Sequence, residues 1–407
     1  MPHLLLIAPA GSYRVADHLT AAHELACDVT VVTDAAVAIT GSALTVPFTD
    51  PERAARTVLA ACDRPVDAVV GTDGAAVTVA GAVARRCGLP TNSAEALAAA
   101  DDKLAQRRAL ARAGVPQPDF AVDDQTGAVD EGSIAHLLPA VVKPIDRTAS
   151  QGVVRADTLT QARTAISGVR RLVGPAAPVL VEQFVSGIEV AVDGLLRDGQ
   201  LQVLAVFDKP DTPTGPTFPE TLLISPARLN AGVRDAVVDV VRRATAAIGL
   251  TEGPVHAECK VDGDRVWFLE LAARTIGGLC SRSLRIAGMS VEQVVVRHAL
   301  DHPLPPAPPA DDRPQRATGV LMLPVPAAGR LVAIHGVEAV RATLGVTDVV
   351  ITIGPGAHVV PLPDGDRYLG FVFAHAATAD DCEQALRRAW AELDVEITGD
   401  GQRLVGG

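Results

Sequence analysis

An α/β fold opening with a doubly wound parallel sheet is what the sequence predicts, on three observations. Short apolar runs alternate with helical patterns from the first residues onward. The hydrophobic fraction, 48% of 407 residues, is ample for real cores and for two to four domains. Gly/Pro punctuation then marks off later segments of different character.

The elements follow in order. Residues 3–8, beginning His3-Leu4-Leu5-Leu6-Ile7, read as a buried strand, 15–25 as a helix, 29–33 as a strand, 51–61 as a helix, 68–71 as a strand and 75–87 as a helix. The first turn, Ala8-Pro9-Ala10-Gly11-Ser12-Tyr13, lacks G-x-G-x-x-G, so NAD is not expected although the unit is similar to a Rossmann half. A helix from Ser93 carries Asp101, Asp102 and Lys103 and stops at Gly114-Val115-Pro116. Irregular strands and helices fill 140–299, with loops at Gly174-Pro175 and over 210–219. The stiff run Pro303-Leu304-Pro305-Pro306-Ala307-Pro308-Pro309 marks a boundary. A small α+β module follows, with strands at 319–323, 346–353 and 370–374 and a covering helix at 379–393; the tail after Thr398 reads as loose. The expected domains are 1–95, 96–302, a linker at 303–314, and 315–407.

A net charge of −12 without basic runs argues against nucleic acid or an anionic membrane surface, leaving small molecules as partners. The start has no basic region, no cleavage-like site and too short an apolar run for a leader or span. Six cysteines without C-x-x-C spacing fit a reducing cytoplasm rather than disulfides or zinc. A homodimer is left open.

Lysine is nearly absent: Lys103, Lys143, Lys209 and Lys260 stand against thirty-two arginines. Where any cation suffices, such a composition uses Arg, so the surviving lysines mark places that need a compact point charge, as phosphate oxygens do. Lys143 ends the apolar run Val141-Val142-Lys143-Pro144, and Ser150-Gln151-Gly152-Val153 follows with small residues whose amides can close over phosphates. Val179-Leu180-Val181-Glu182-Gln183-Phe184-Val185 is an apolar strand with one carboxylate, followed by Gly187-Ile188-Glu189. The backbone of Glu182, Gln183, Phe184 and Val185 can read an adenine edge, and Glu189 can accept from ribose hydroxyls.

Two strands, His256-Ala257-Glu258-Cys259-Lys260-Val261 and Val266-Trp267-Phe268-Leu269-Glu270-Leu271, meet at Asp262-Gly263-Asp264. A three-residue loop pairs Val261 with Arg265 and puts Glu258 and Glu270 on one face as diagonal neighbours about 7–8 Å apart, suited to Mg²⁺. A two-residue turn would put them on opposite faces. Beyond the second strand, Arg274 can stabilise developing negative charge, and Gly277-Gly278 before a helix over 279–287 can offer amides to an anionic group.

In this order the motifs resemble the ATP-grasp carboxylate–amine ligases over most of the chain. The pieces are Asp102-Lys103…Arg107…Gly114-Val115-Pro116-x-Pro118, Val142-Lys143-Pro144, Ser150-x-Gly152-Val153, Glu182-x-Phe184-x-x-Gly187-x-Glu189, His256-x-Glu258 and Glu270-x-x-x-Arg274-x-x-Gly277-Gly278. The apolar segments after Pro314 are similar to the C-terminal domain of dipeptide-forming L-amino-acid ligases. The resemblance implies a Rossmann-like pre-ATP-grasp domain, a two-lobed ATP-grasp domain and a small α+β domain. It implies ATP and magnesium, with manganese as a substitute ion, and small carboxylate and amine substrates. Lys103, Lys143, Ser150, Gly152 and Val153 would contact phosphates, Glu182 and Glu189 the adenosine, and Glu258 and Glu270 the metal; Lys143, Glu270 and Arg274 would be the catalytic set. Lys209, Glu220, His256, Gly277, Gly278 and Arg282 would lie toward the substrate, although Arg282 and Arg285 fit salt-bridged structure equally well.

Two positions depart from the pattern: Ala272 stands where an Asn often follows the second metal glutamate, and Gly74 where an acid often follows Asp73. The rival readings are a purine-pathway or carboxylase-type ATP-grasp enzyme and an ATP-binding sensor.

Overall fold

The computed structural model describes residues 1–36, 42–124, 131–306, 316–399 and 403–405. Residues 307–314 of the expected linker, residue 315 and most of the tail after Thr398 lie outside them. The expected α/β class is met. The first sheet is wholly parallel, ordered Ser42–Thr45, Asp28–Thr33, His3–Ile7, Ala68–Gly71. Its centre, Leu4 to Ile7, is fully buried because helices cover both faces. Asp50 caps the helix Pro51–Ala61 by accepting from the Arg53 amide, and Gly88 in the left-handed region ends Gly74–Cys87. The strand Ser42–Thr45 was not foreseen, because a short edge strand that is largely exposed has no apolar alternation to read.

One expected helix is two. Ala94–Ala100 ends at Asp101, and Asp102 then caps Lys103–Ala113 by accepting from the Ala105 amide. The cap wins because its carboxylate satisfies an amide that otherwise has no partner. Lys103 thereby becomes the first residue of a helix.

A small lobe carries a sheet ordered Phe120–Asp123, Val179–Gln183, Ala140–Pro144, Val154–Ala156, backed by the helix Leu159–Val173. The large sheet has eight strands, in the order Arg265–Ala272, Gly253–Asp262, Ile188–Arg197, Gln200–Lys209, Leu222–Ser225, Ala317–Leu323, Gly370–Ala376, Val346–Ile351. It therefore crosses the expected boundary at 303–314: Leu222–Ser225 pairs antiparallel with Ala317–Leu323. Leu222, Leu223 and Ile224 are buried, so a strand between two layers needs a partner on that edge. The helix Ala379–Ala391 covers the last strands, as expected.

Two further expectations are corrected. The hairpin turns on two residues, Gly263 and Asp264, with Asp262 opposite Arg265; a bulge between Glu258 and Cys259 then shifts the register so that Glu258 lies directly opposite Glu270. The extra residue, Leu269, restores the shared face that a two-residue turn alone would forbid. The helix expected over 279–287 is only a 3₁₀ turn, Cys280–Ser283, after which Leu284 is extended. Among the described residues no helix is long and apolar enough to cross a membrane.

Candidate active site

All four lysines of the chain line one cavity of about 930 Å³ between the small lobe and the large sheet. Ser150, Val153, Gln183, Phe184 and Val185 share its wall, as do Glu182, Glu189, Glu258 and Glu270. Gly152 does not. Its amide donates to Pro363 O at 2.8 Å, and the Gln151 side chain donates to Asp364 O at 2.9 Å, which ties this loop to the last third of the chain.

Glu182 belongs to a buried ion triad. Its carboxylate is 2.6 Å from Arg107 Nε and 2.7 Å from Lys143 Nζ, with 3% and 1% of the Glu182 and Arg107 side chains exposed. Burial pushes the Glu182 carboxyl up, but Arg107 and Lys143 outweigh burial and hold it below its ordinary value. Burial also lowers the Lys143 ammonium, with Glu182 opposing. The Glu182 carboxylate thus holds the Lys143 ammonium in place. The amides of Gln183 and Phe184 donate to Asp119 O and Pro139 O at 2.8 and 2.7 Å, so these two are not available to a base. The Phe184 ring lies under the Arg155 guanidinium at 4.2 Å.

Lys209 is buried and spends its three N–H bonds on three carboxylates: Glu189 at 2.7 Å, Glu258 at 2.7 Å, and Glu220. Burial disfavours the ammonium, but the three carboxylates together raise its pKa well above the ordinary value. Lys209 and His256 in turn pull Glu258 well below the usual range against burial. Glu220 is raised by burial and by Glu258, with Lys209 opposing. Lys103 Nζ is 3.4 Å from Glu270 and donates to Arg147 O at 2.5 Å.

A second cavity, of about 1190 Å³, adjoins the first through Glu220, Glu258 and Glu270 and reaches His256, Arg274, Gly277 and Gly278. His256 Nδ1 is 2.7 Å from Asp193 and Nε2 is 3.5 Å from Glu258. Burial disfavours the imidazolium, yet these carboxylates raise its pKa to about 9. Arg274 donates to Thr275 O at 2.9 Å. The loop it opens is pinned by Arg14, a buried guanidinium donating to Thr72 O and Thr275 Oγ1 at 2.9 Å, and to the carbonyls of Thr275, Ile276 and Gly278. Gly278 has φ +59°, and a Cβ there would lie 2.6 Å from Phe371 Cζ. The structure does not bring Arg282 here: it forms a bidentate pair with Asp17, both bonds 2.8 Å, in a separate surface recess.

Sequence reasoning gave no role to Arg14, Asp193 or Arg107. Asp193 had a usable signal, a carboxylate inside an apolar strand, which must be paired when buried. Arg14 had none, since its partners lie up to 264 residues away.

Residues 136–283 match the ATP-grasp domain model, and residues 321–398 match L-amino acid ligase C-terminal domain 2. A D-alanine–D-alanine ligase of Gloeobacter violaceus is 32% identical over 227 residues, 52% of this chain and 72% of that one. The protein y4rH of Sinorhizobium fredii is 27% identical over 78% of this chain, which spans 66% of y4rH. The crystal structure of L-amino acid ligase from Bacillus licheniformis superposes with a TM-score of 0.81 at 25% identity, covering 98% of this chain and 99% of that one.

Proposed function

Because this chain belongs to the ATP-grasp family of carboxylate–amine ligases, we propose that it joins two amino acids through an amide bond at the expense of ATP, which becomes ADP and phosphate. The observation that carries this reading is the pairing of Glu258 with Glu270 where the lysine-lined cavity meets the one containing Arg274. Phosphate chemistry on one side can there reach a carboxylate on the other.

The first cavity would hold ATP, with Lys103 and Lys143 on the phosphates. Lys143 is suited to that work because Glu182 fixes its ammonium while burial limits its hydration. Glu258 and Glu270 fit a hard cation: both are carboxylates on opposed strands, and both already attract ammonium groups, Lys209 and Lys103. Magnesium held there would neutralise charge on the phosphates. Ser150 and Val153 line the same wall, while a phosphate contact from Gly152 would require breaking its bond to Pro363.

A substrate carboxylate oxygen attacks the γ-phosphorus as the bond to ADP breaks, giving an acyl phosphate. The amine nitrogen then attacks the acyl carbon, phosphate leaves, and the amine loses a proton. Arg274 would stabilise the tetrahedral oxyanion, with its loop held in place by Arg14. Positioning and charge carry both steps, so no side-chain nucleophile is needed.

A purine-pathway reading would ask the second cavity for free cations to hold a sugar phosphate. Arg14 is committed to carbonyls and His256 to Asp193 and Glu258, which leaves Arg274 of these three cations and argues against it. The test is to supply ATP and amino-acid pairs and to identify the nucleotide product. ADP with stoichiometric phosphate is expected, and hydroxylamine without the amine should trap a hydroxamate. AMP and pyrophosphate would overturn the mechanism.

A further inference from the structure

The second cavity has a wall that the ligase reading does not use. Tyr13, from the loop after the first strand, and Tyr368, from the last third of the chain, flank Phe371 with ring centroids 6.0 and 6.4 Å from it. Phe371 is fully buried behind them, whereas both tyrosines are partly exposed on the cavity. Each phenol oxygen already accepts one hydrogen bond. The Glu220 amide donates to Tyr368 Oη at 3.1 Å, and Arg367 Nε donates to Tyr13 Oη at 3.2 Å. Each phenol keeps its O–H to donate, and the Arg367 guanidinium lies 5.8 Å from the centre of the Tyr13 ring; what the two rings add to the cavity wall is apolar surface.

The charges nearby point the same way. Asp73 accepts from Ser12 at 2.6 Å and Thr72 at 2.9 Å and lies 3.7 Å from Arg14. Glu220 is held by Lys209. These two carboxylates are compensated, so a charged side chain set beside them would lose hydration without gaining an unpaired partner.

Resting on the ligase reading, we propose that this cavity takes an amino acid with a bulky apolar or aromatic side chain, packed against Tyr13 and Tyr368, and rejects acidic and basic ones. The two tyrosines are then specificity residues, acting through ring contact rather than through their hydroxyls. A lost apolar contact in such a pocket is worth about 10–200-fold in discrimination.

Equilibrium binding tests this apart from turnover. The full chain, saturated with magnesium and a nonhydrolysable ATP analogue, is titrated calorimetrically with L-phenylalanine, L-leucine, L-alanine, L-lysine and L-glutamate. Phenylalanine or leucine should bind at least tenfold more tightly than the other three. In Tyr368→Ala and Tyr13→Ala that margin should fall to within about threefold, whereas Tyr368→Phe should keep it because the ring remains. Tightest binding by lysine or glutamate, no binding by any of the five, or an undiminished margin in both alanine variants overturns the proposal. Failure to form ADP with any amino-acid pair counts instead against the ligase reading, and leaves the binding order to judge the pocket.

Discussion

Lys143 shows most directly how one residue type carries meaning here. Its ammonium is 2.7 Å from a carboxylate that also binds Arg107, so a point charge is held in a space walled by other ions. A guanidinium is planar and wider, and cannot take that place without moving Glu182. Lys143→Arg should therefore lose activity on the order of 100-fold, the scale of a misplacement of about 1 Å at a reacting centre; near-wild-type turnover would remove Lys143 from the site. Glu258 and Glu270 make a second case. Glu258→Gln and Glu270→Gln should each raise the magnesium concentration needed for half-maximal activity, since each removes one hard anionic ligand. Unchanged half-saturation in both would place the metal elsewhere. Lys209 explains why Glu220 had only a loose assignment from sequence: the triple pairing joins positions 189, 220 and 258, which no local pattern connects.

Among elements, the loop from Arg274 to Gly278 depends on contacts from both ends of the chain. Gly278 sits in the left-handed region with Phe371 directly behind it. Gly278→Ala should cost about 1–2 kcal/mol for the backbone, and about 1–3 kcal/mol more for displacing the ring. A denaturation midpoint equal to wild type would show that the ring yields freely. The first sheet was legible because strand and helix periods are written in consecutive residues, as in the apolar Leu4 to Ile7 before the helix Val15–Glu24. The break at Asp102 was legible in principle, because Asp before a helical pattern is a cap signal. The bulge at Leu269 was not, since it inserts one residue without changing composition. Nor was the 3₁₀ turn at Cys280–Ser283: buried Leu279, Cys280 and Leu284 give an apolar spacing that a helix would share. The ordered set of motifs made the site readable, whereas the pairings of Glu182, Asp193 and Arg14 depended on the tertiary fold.

The whole molecule is more continuous than its sequence boundaries suggest. One core cluster joins Leu4 and Leu6 of the first sheet, Ala21 of the helix Val15–Glu24, Phe207 and Leu223 of the large sheet, and Val320, Met322, Phe371 and Phe373 of the last third. The second cavity draws its walls from the same three regions. The segment beyond the Pro-rich run is thus part of the frame on which the substrate end of the site is built. A chain ending at residue 306 would strip the edge of Leu222–Ser225, whose ladder partner is Ala317–Leu323. It would also uncover the faces packed against Val320, Met322, Phe371 and Phe373. Each such side chain contributes about 1.5–3 kcal/mol on burial, so losing four removes an amount comparable to the roughly 5–15 kcal/mol that keeps a domain folded. The bared apolar strand is in addition a template for association. Residues 1–306 expressed alone should therefore elute as aggregates and unfold without a cooperative transition, while the full chain does neither. Size-exclusion chromatography with light scattering, followed by thermal melting, decides the matter. A monodisperse fragment with a sharp melt would mean that the first two regions form a self-sufficient unit and that the last is an attachment to it.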